Sequence, residues 1–256
     1  MQVRTLSKRP ASISEPEWQV RVDLAACYRL CALYGWDDII FSHITARLPG
    51  GGHRFLINPY GMMFEEITAS SLVPVDEHGN KIDDSPWEVN PAGFVVHSAV
   101  HLAREDAMCV IHLHSADGVA VSSMAEGLLP INQRALNSYG DLAYHDFEGV
   151  ADQLDERQRL QRDLGTKNRM ILRNHGTIAV GPTIAETFLR MYFLEQACTA
   201  QVKALAGGMK TYPLSKELIE KNRNMGVNDR VKHLYCDLAW PALLRKLDRL
   251  DRSYCD

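Results

Sequence analysis

The chain has 256 residues, a net charge of −4 and a pI near 6.2, with 46% hydrophobic and 23% charged residues. Such values describe a globular protein with enough chain for one large core, and they offer no basic surface for nucleic acid or an anionic membrane. No window reaches the roughly 18 apolar residues that cross a bilayer. The N-terminus lacks the apolar stretch of a signal peptide, so the expected compartment is the cytoplasm. Six cysteines without a CxxC pair read as reduced thiols, mostly buried.

Residues 1–17 read as a flexible arm and residues 18–256 as one domain, because no repeat, low-complexity run or long linker interrupts the chain. "SEPE", Ser14 to Glu17, is a capping box with Pro16 near the first turn. Val20, Leu24, Cys27, Leu30, Cys31 and Tyr34 then recur at helical spacing until Gly35. "HITARL" and "HRFLINP" flank "PGGG" and predict a β-hairpin. "SSLVPVDEHGNKID" predicts strand, turn, strand. "NPAGFVVHSAVHLARED" is a short helix capped by Asn90 and begun at or just after Pro91. "AMCVIHLH" is a strand, and a helix follows from Ser115, closing on Gly127.

Residues 150–164 predict a polar-faced helix. "RMILRNHGTIAVG" predicts a tight hairpin, and the long helix after it ends in two glycines. The final "NDRVKHLYCDLAWPALLRKLDRL" is helical, kinked or split at Pro241. Strands arrive in hairpins with helices between groups. The expected fold class is therefore α/β: a three-layer α/β/α arrangement with a mixed, largely antiparallel central sheet.

One stretch stands apart. In "CVIHLHSADG", strand alternation puts His112 and His114 on one face with Val110, and turns Cys109, Ile111 and Leu113 to the other. Two residues of strand advance about 6.6 Å, so both rings can lean onto one point. Taken alone, such a pair is more often structural than ligating. His175, in "RNHG" between two apolar strands, projects from a hairpin tip. By itself it reads equally as a surface turn residue. Three histidines on short rigid elements can together make an open metal site.

"HSAVHLAREDAMCVIHLHSADGVAVSSM", "YHDF" and "RMILRNHGTIAVG" with its following helix resemble the class II aldolase/adducin family, from about residue 18 to about 208. The resemblance implies an α/β/α fold, a homotetramer with active sites at subunit interfaces, and a divalent metal held by His112, His114 and His175. Zinc is expected first, with manganese, iron or cobalt as alternatives.

The chain departs from the family's sugar-phosphate enzymes. Their "P-S-S-E" type segment corresponds to "PAGF", with Phe94 at the acidic position and Ala92 and Gly93 at the serines. Their "G-N-x-S" phosphate loop corresponds to "FSHIT", with Ser42 and His43 in place of Gly and Asn, while "INPYGMMFEEITASSLV" keeps Gly61 of another phosphate loop. A phosphorylated sugar is therefore not expected. "SHIT", "LINPYG", "ITASSLV" and "LRNHG" are closer to the adducin head-domain branch, without the cytoskeletal tail.

Three functions follow as expectations. The first is a metal-dependent lyase, of aldolase or decarboxylase type, stabilising an enolate of a small carbonyl or carboxylate compound. The second is a non-catalytic, adducin-like oligomeric binding module. The third is an iron(II)-dependent oxygenase.

With Phe94 unable to move a proton, His97, one helical turn on, is the candidate acid/base or extra ligand, against a structural histidine bonded to a neighbouring strand. His43 is a candidate substrate contact, and His101 is expected to face solvent. Arg134, beside Gln133, is the candidate clamp for a substrate carboxylate, or else an inter-subunit ion-pair partner. Tyr139 and Tyr144 are possible proton donors, more simply packing residues with satisfied hydroxyls. Glu65, Glu66 and "DQLDERQR" read as solvated faces.

Overall fold

A computed structural model describes residues 9–149 and 156–256, with the backbone alone at Phe94 and a few other helical positions. Residues 1–8 of the expected arm lie outside the described residues; residues 15–17 already form the first turn of a helix. That helix, α1 (Glu15–Leu33), is capped by the Ser14 hydroxyl accepting from the Glu17 amide. It stops at Gly35, which takes φ 69°, a conformation that glycine adopts without steric cost.

Among the described residues one seven-stranded sheet has the order β3-β2-β1-β4-β7-β6-β5. Its strands are β1 (His43–Arg47), β2 (Phe55–Ile57), β3 (Val73–Val75), β4 (Cys109–Leu113), β5 (Leu142–His145), β6 (Arg169–Leu172) and β7 (Gly176–Gly181). Every neighbouring pair is antiparallel except β5 with β6. The expected mixed, largely antiparallel sheet is therefore present, as are the two glycine- and asparagine-turned hairpins. The predicted strand after His78 is reduced to a single bridge, Val75 to Lys81. A side-chain and main-chain turn on Asp76 holds Asn80 there and leaves too few residues for a ladder.

Helices cover both faces. Ile44, Ala46, Cys109, Ile111, Leu113 and Ala179 point into a core shared with α1 and α6 (Ile184–Leu205). Val110, Met170, Ile178 and Val180 point the other way, against α2 (Pro91–Ala103) and α5 (Glu156–Leu164). Each fully buried apolar side chain contributes about 1.5–3 kcal/mol, so register is strongly held: a slip of one residue would exchange the two faces of β4. His112 belongs to the α2 face, as alternation requires.

Residues 150–155 of the predicted helix at 150–164 lie outside the described residues, and the rest is α5. Two short helices, α3 (Ala116–Ser122, capped by Ser115) and α4 (Gln133–Tyr139), carry the chain from β4 to β5. Two more short helices, α7 (Lys216–Lys221) and α8 (Asp229–His233), lead to α9 (Trp240–Leu250). Between α8 and α9 the turn widens to a π-helical stretch over Leu234–Ala239. Pro241, which lacks an N–H, sits in the first turn of α9 just after this stretch, and the backbone stays helical through Ala239 and Trp240, so the helix widens before the proline and is not split by it. All six cysteines are free and five are buried.

Candidate metal centre

Two adjacent strands bring the three histidines together. His112 is on β4 and His114 just beyond its end; β7 pairs with β4, and the β6–β7 tip carries His175. Local sequence makes that tip possible. Asn174 takes φ 55°, a left-handed conformation that asparagine tolerates better than most side chains. A Cβ on Gly176 would lie 2.3 Å from the Leu113 carbonyl oxygen, so only glycine lets the tip close onto β4.

The three Nε2 atoms converge. His114 Nε2 lies 2.9 Å from His112 Nε2 and 3.0 Å from His175 Nε2. One ring nitrogen from each histidine falls within 4.8 Å of the others. Nδ1 of His112 is 3.1 Å from the Thr177 carbonyl oxygen, and Nδ1 of His114 is 3.1 Å from Asp38 Oδ2. A carbonyl only accepts, so His112 donates from Nδ1 and leaves a bare lone pair at Nε2. The carboxylate sets the same tautomer at His114. Burial, with neighbouring His43, His114 and His175, pushes the His112 pKa well below 6.5, and burial with His114 brings His175 down to about 4. Ring lone pairs aimed at one point repel each other unless a cation sits between them. A metal with Zn–N distances of about 2.0–2.1 Å fits that donor set and keeps at least one position open.

The family model described as Class II Aldolase and Adducin N-terminal domain matches residues 22–202. The chain belongs to the class II aldolase/adducin family. An aldolase class 2 family protein of Caulobacter vibrioides is 57% identical over 248 residues, 95% of each chain. Mouse alpha-adducin is 46% identical over 190 residues, which are 73% of this chain and 26% of that protein. The solved L-fuculose 1-phosphate aldolase of Glaciozyma antarctica superposes with a TM-score of 0.81 at 28% identity, covering 96% of each chain.

In this family member the centre is braced from below. Glu195, on α6 and fully buried, accepts from the Ser115 hydroxyl and, at 2.5 Å, from the Thr177 hydroxyl. Ser115 follows His114, and the Thr177 carbonyl holds His112. One carboxylate thus ties both histidine-bearing segments to the long helix. Burial raises its pKa and the two hydroxyls lower it. Asp38 and Glu195 were not legible in sequence. "WDD" precedes no periodic element, and a glutamate inside a helix has no local mark of a distant partner.

The other expected residues fall as follows. His97 is buried, with Nε2 2.8 Å from His43 Nδ1 and Nδ1 2.5 Å from Thr45 Oγ1, so both ring nitrogens are engaged. His101 does not face solvent: it is 1% exposed and lies between Thr45 and the Ala107 carbonyl. His43 stands opposite His112 in the β1–β4 ladder, ring centroids 5.1 Å apart. Arg134 is exposed on α4 and donates to Gln196 on α6. The Tyr144 hydroxyl accepts from the Leu128 amide, whereas Tyr139 is partly exposed. Glu65 and Glu66 are exposed, but Glu156 is buried near His145, and burial raises its pKa. The Phe94 side chain lies outside the described residues.

Proposed function

We propose that the chain is a metal-dependent carbon–carbon lyase, of aldolase or decarboxylase type, acting on a small carbonyl or carboxylate compound that is not a sugar phosphate. The observation that carries this reading is the convergence of the Nε2 atoms of His112, His114 and His175 with both defined tautomers turned inward. A divalent ion, zinc first, would supply Lewis acidity at a substrate oxygen. The protein's own part is to hold the three imidazoles together and to orient His112 and His114 through Thr177 and Asp38. With both nitrogens engaged, His97 acts through His43. Arg134, exposed on α4, is the proposed clamp for a carboxylate in a neighbouring subunit's site. That role goes with a homo-oligomer, a tetramer by preference, in the cytoplasm.

Metal analysis of purified protein beside His112→Ala tests the centre. One equivalent per chain, lost in the variant, is expected; metal content that the variant leaves unchanged would sink the proposal. The adducin identity favours a second reading, an oligomeric binding module with a metallated but idle site. Turnover of a carbonyl acid or aldol, abolished in His114→Ala, excludes that module. Turnover requiring ferrous iron and oxygen would instead mark an oxygenase.

A further inference from the structure

Four side chains on the α2 face of β1 form one unbroken run of hydrogen bonds. His43 Nδ1 is 2.8 Å from His97 Nε2, and His97 Nδ1 is 2.5 Å from Thr45 Oγ1. Thr45 Oγ1 is 2.8 Å from His101 Nε2, and His101 Nδ1 is 2.7 Å from the Ala107 carbonyl oxygen. All four residues are at most 5% exposed. The run closes because two residues of strand advance about 6.6 Å and four residues of helix about 6 Å. "HIT" on β1 and "HSAVH" on α2 therefore interleave.

A run anchored on a carbonyl has a single direction. The Ala107 oxygen can only accept, so His101 carries its proton on Nδ1 and presents a lone pair at Nε2. Thr45 has one hydroxyl proton and gives it to that lone pair. His97 must then donate from Nδ1 to Thr45, which leaves its Nε2 to accept from His43 Nδ1. One proton per ring is the right count, because the four contacts of the run take four protons, one from each of the three rings and one from the Thr45 hydroxyl. The last ring, His43, is left with a bare Nε2.

We propose that this relay fixes His43 as a hydrogen-bond acceptor beside the metal centre, so that the site selects a substrate bearing a hydroxyl or N–H there and rejects a phosphate. The proposal rests on the lyase reading for where substrate sits. Across the ladder His43 faces His112, and Gly93 on α2 makes room for its ring. A Cβ at Gly93 would lie 2.5 Å from His43 Cδ2 and 2.8 Å from Nε2. A hydroxyl at that point donates to Nε2. An ionised phosphate oxygen brings no proton to Nε2, so it gains no hydrogen bond from His43 and is set against that lone pair. Thr45, His97 and His101 are positioning residues.

Selective ¹⁵N-histidine labelling reads the tautomers directly, and metal-free protein suffices, so failure here is separable from failure of the metal reading. At pH 7.5, His43, His97 and His101 are all expected as Nδ1–H forms. In Thr45→Val the direction is lost, and His43 becomes a mixture. An Nε2–H form of His43 in the unaltered protein overturns the relay. A second measurement probes selectivity with inorganic phosphate. His43→Asn places an amide donor where the lone pair was, and phosphate binding is expected to tighten about tenfold, the worth of one hydrogen bond to a charged group. Unchanged or weaker phosphate binding in His43→Asn overturns the selectivity.

Discussion

His112 Nε2 and His114 Nε2 approach to 2.9 Å although each ring has already committed its proton on the opposite side, to the Thr177 carbonyl and to Asp38. Two lone pairs held face to face are unfavourable without a shared cation, and His175 Nε2 stands 3.0 Å from His114 Nε2. The electrostatic cost of the empty arrangement and the affinity for a cation have the same origin.

Zinc should therefore stabilise the folded chain. At a free concentration of 100 times Kd the gain is about 2.7 kcal/mol, or a rise in Tm of roughly 5–10 °C for a chain of this size. Differential scanning calorimetry with zinc and then with excess chelator should show the shift and its reversal. His112→Ala should show neither.

Asp38 orients His114 from a partly exposed loop, at 3.1 Å. Asp38→Ala should weaken metal binding by about 10–100-fold while leaving the metal-free fold intact. Competition against a chromophoric chelator measures it. Unchanged affinity would show that the hydrogen bond to Nδ1 does not orient the ligand.

Glu195→Ala leaves the buried hydroxyls of Ser115 and Thr177 without their acceptor. Together with the cavity, the expected loss is about 2–4 kcal/mol by urea denaturation. Thr177→Val removes one arm at constant volume. It should also loosen metal, because the same residue's carbonyl holds His112.

The metal-free protein should lose stability as the pH falls from 6.5. His101 and His175 titrate at about 3 and about 4 in the fold, and His43, His97 and His112 well below 6.5. Below pH 6.5 the unfolded chain takes up protons that these rings refuse, so unfolding is favoured as pH drops. Stability is fully present above 6.5 and is lost progressively down to about 4 and 3 at His175 and His101. Each histidine that stays neutral costs about 2 kcal/mol between pH 6.5 and 5. Denaturant midpoints across that range check the slope. A flat profile would mean that the rings are solvated.

Gly93→Ala forces a methyl into His43. Overpacking of this kind costs about 1–3 kcal/mol, and the His43 ring must turn away from His97. A thermal melt reads the first effect and the His43 ¹⁵N shift the second.

Much of this was legible in the chain. Strand alternation around "CVIHLH" placed two rings on one face without any tertiary information, because the period of a strand is local geometry. "RNHG" between apolar strands announced a projecting histidine for the same reason, and hairpin spacing gave a largely antiparallel sheet. Helical periodicity points His101 to solvent, because it finds faces but not what covers them. The sheet covers that face, and Thr45 meets the ring there.

Sequence by itself determined the donor types, the strand face they share and the family. Only the tertiary structure decided which nitrogen each histidine turns inward. That choice is made by acceptors far along the chain: Asp38 for His114, Thr177 for His112, and Ala107, through three intervening side chains, for His43. A tautomer is set by whatever lies 3 Å away in space, and no periodicity records it.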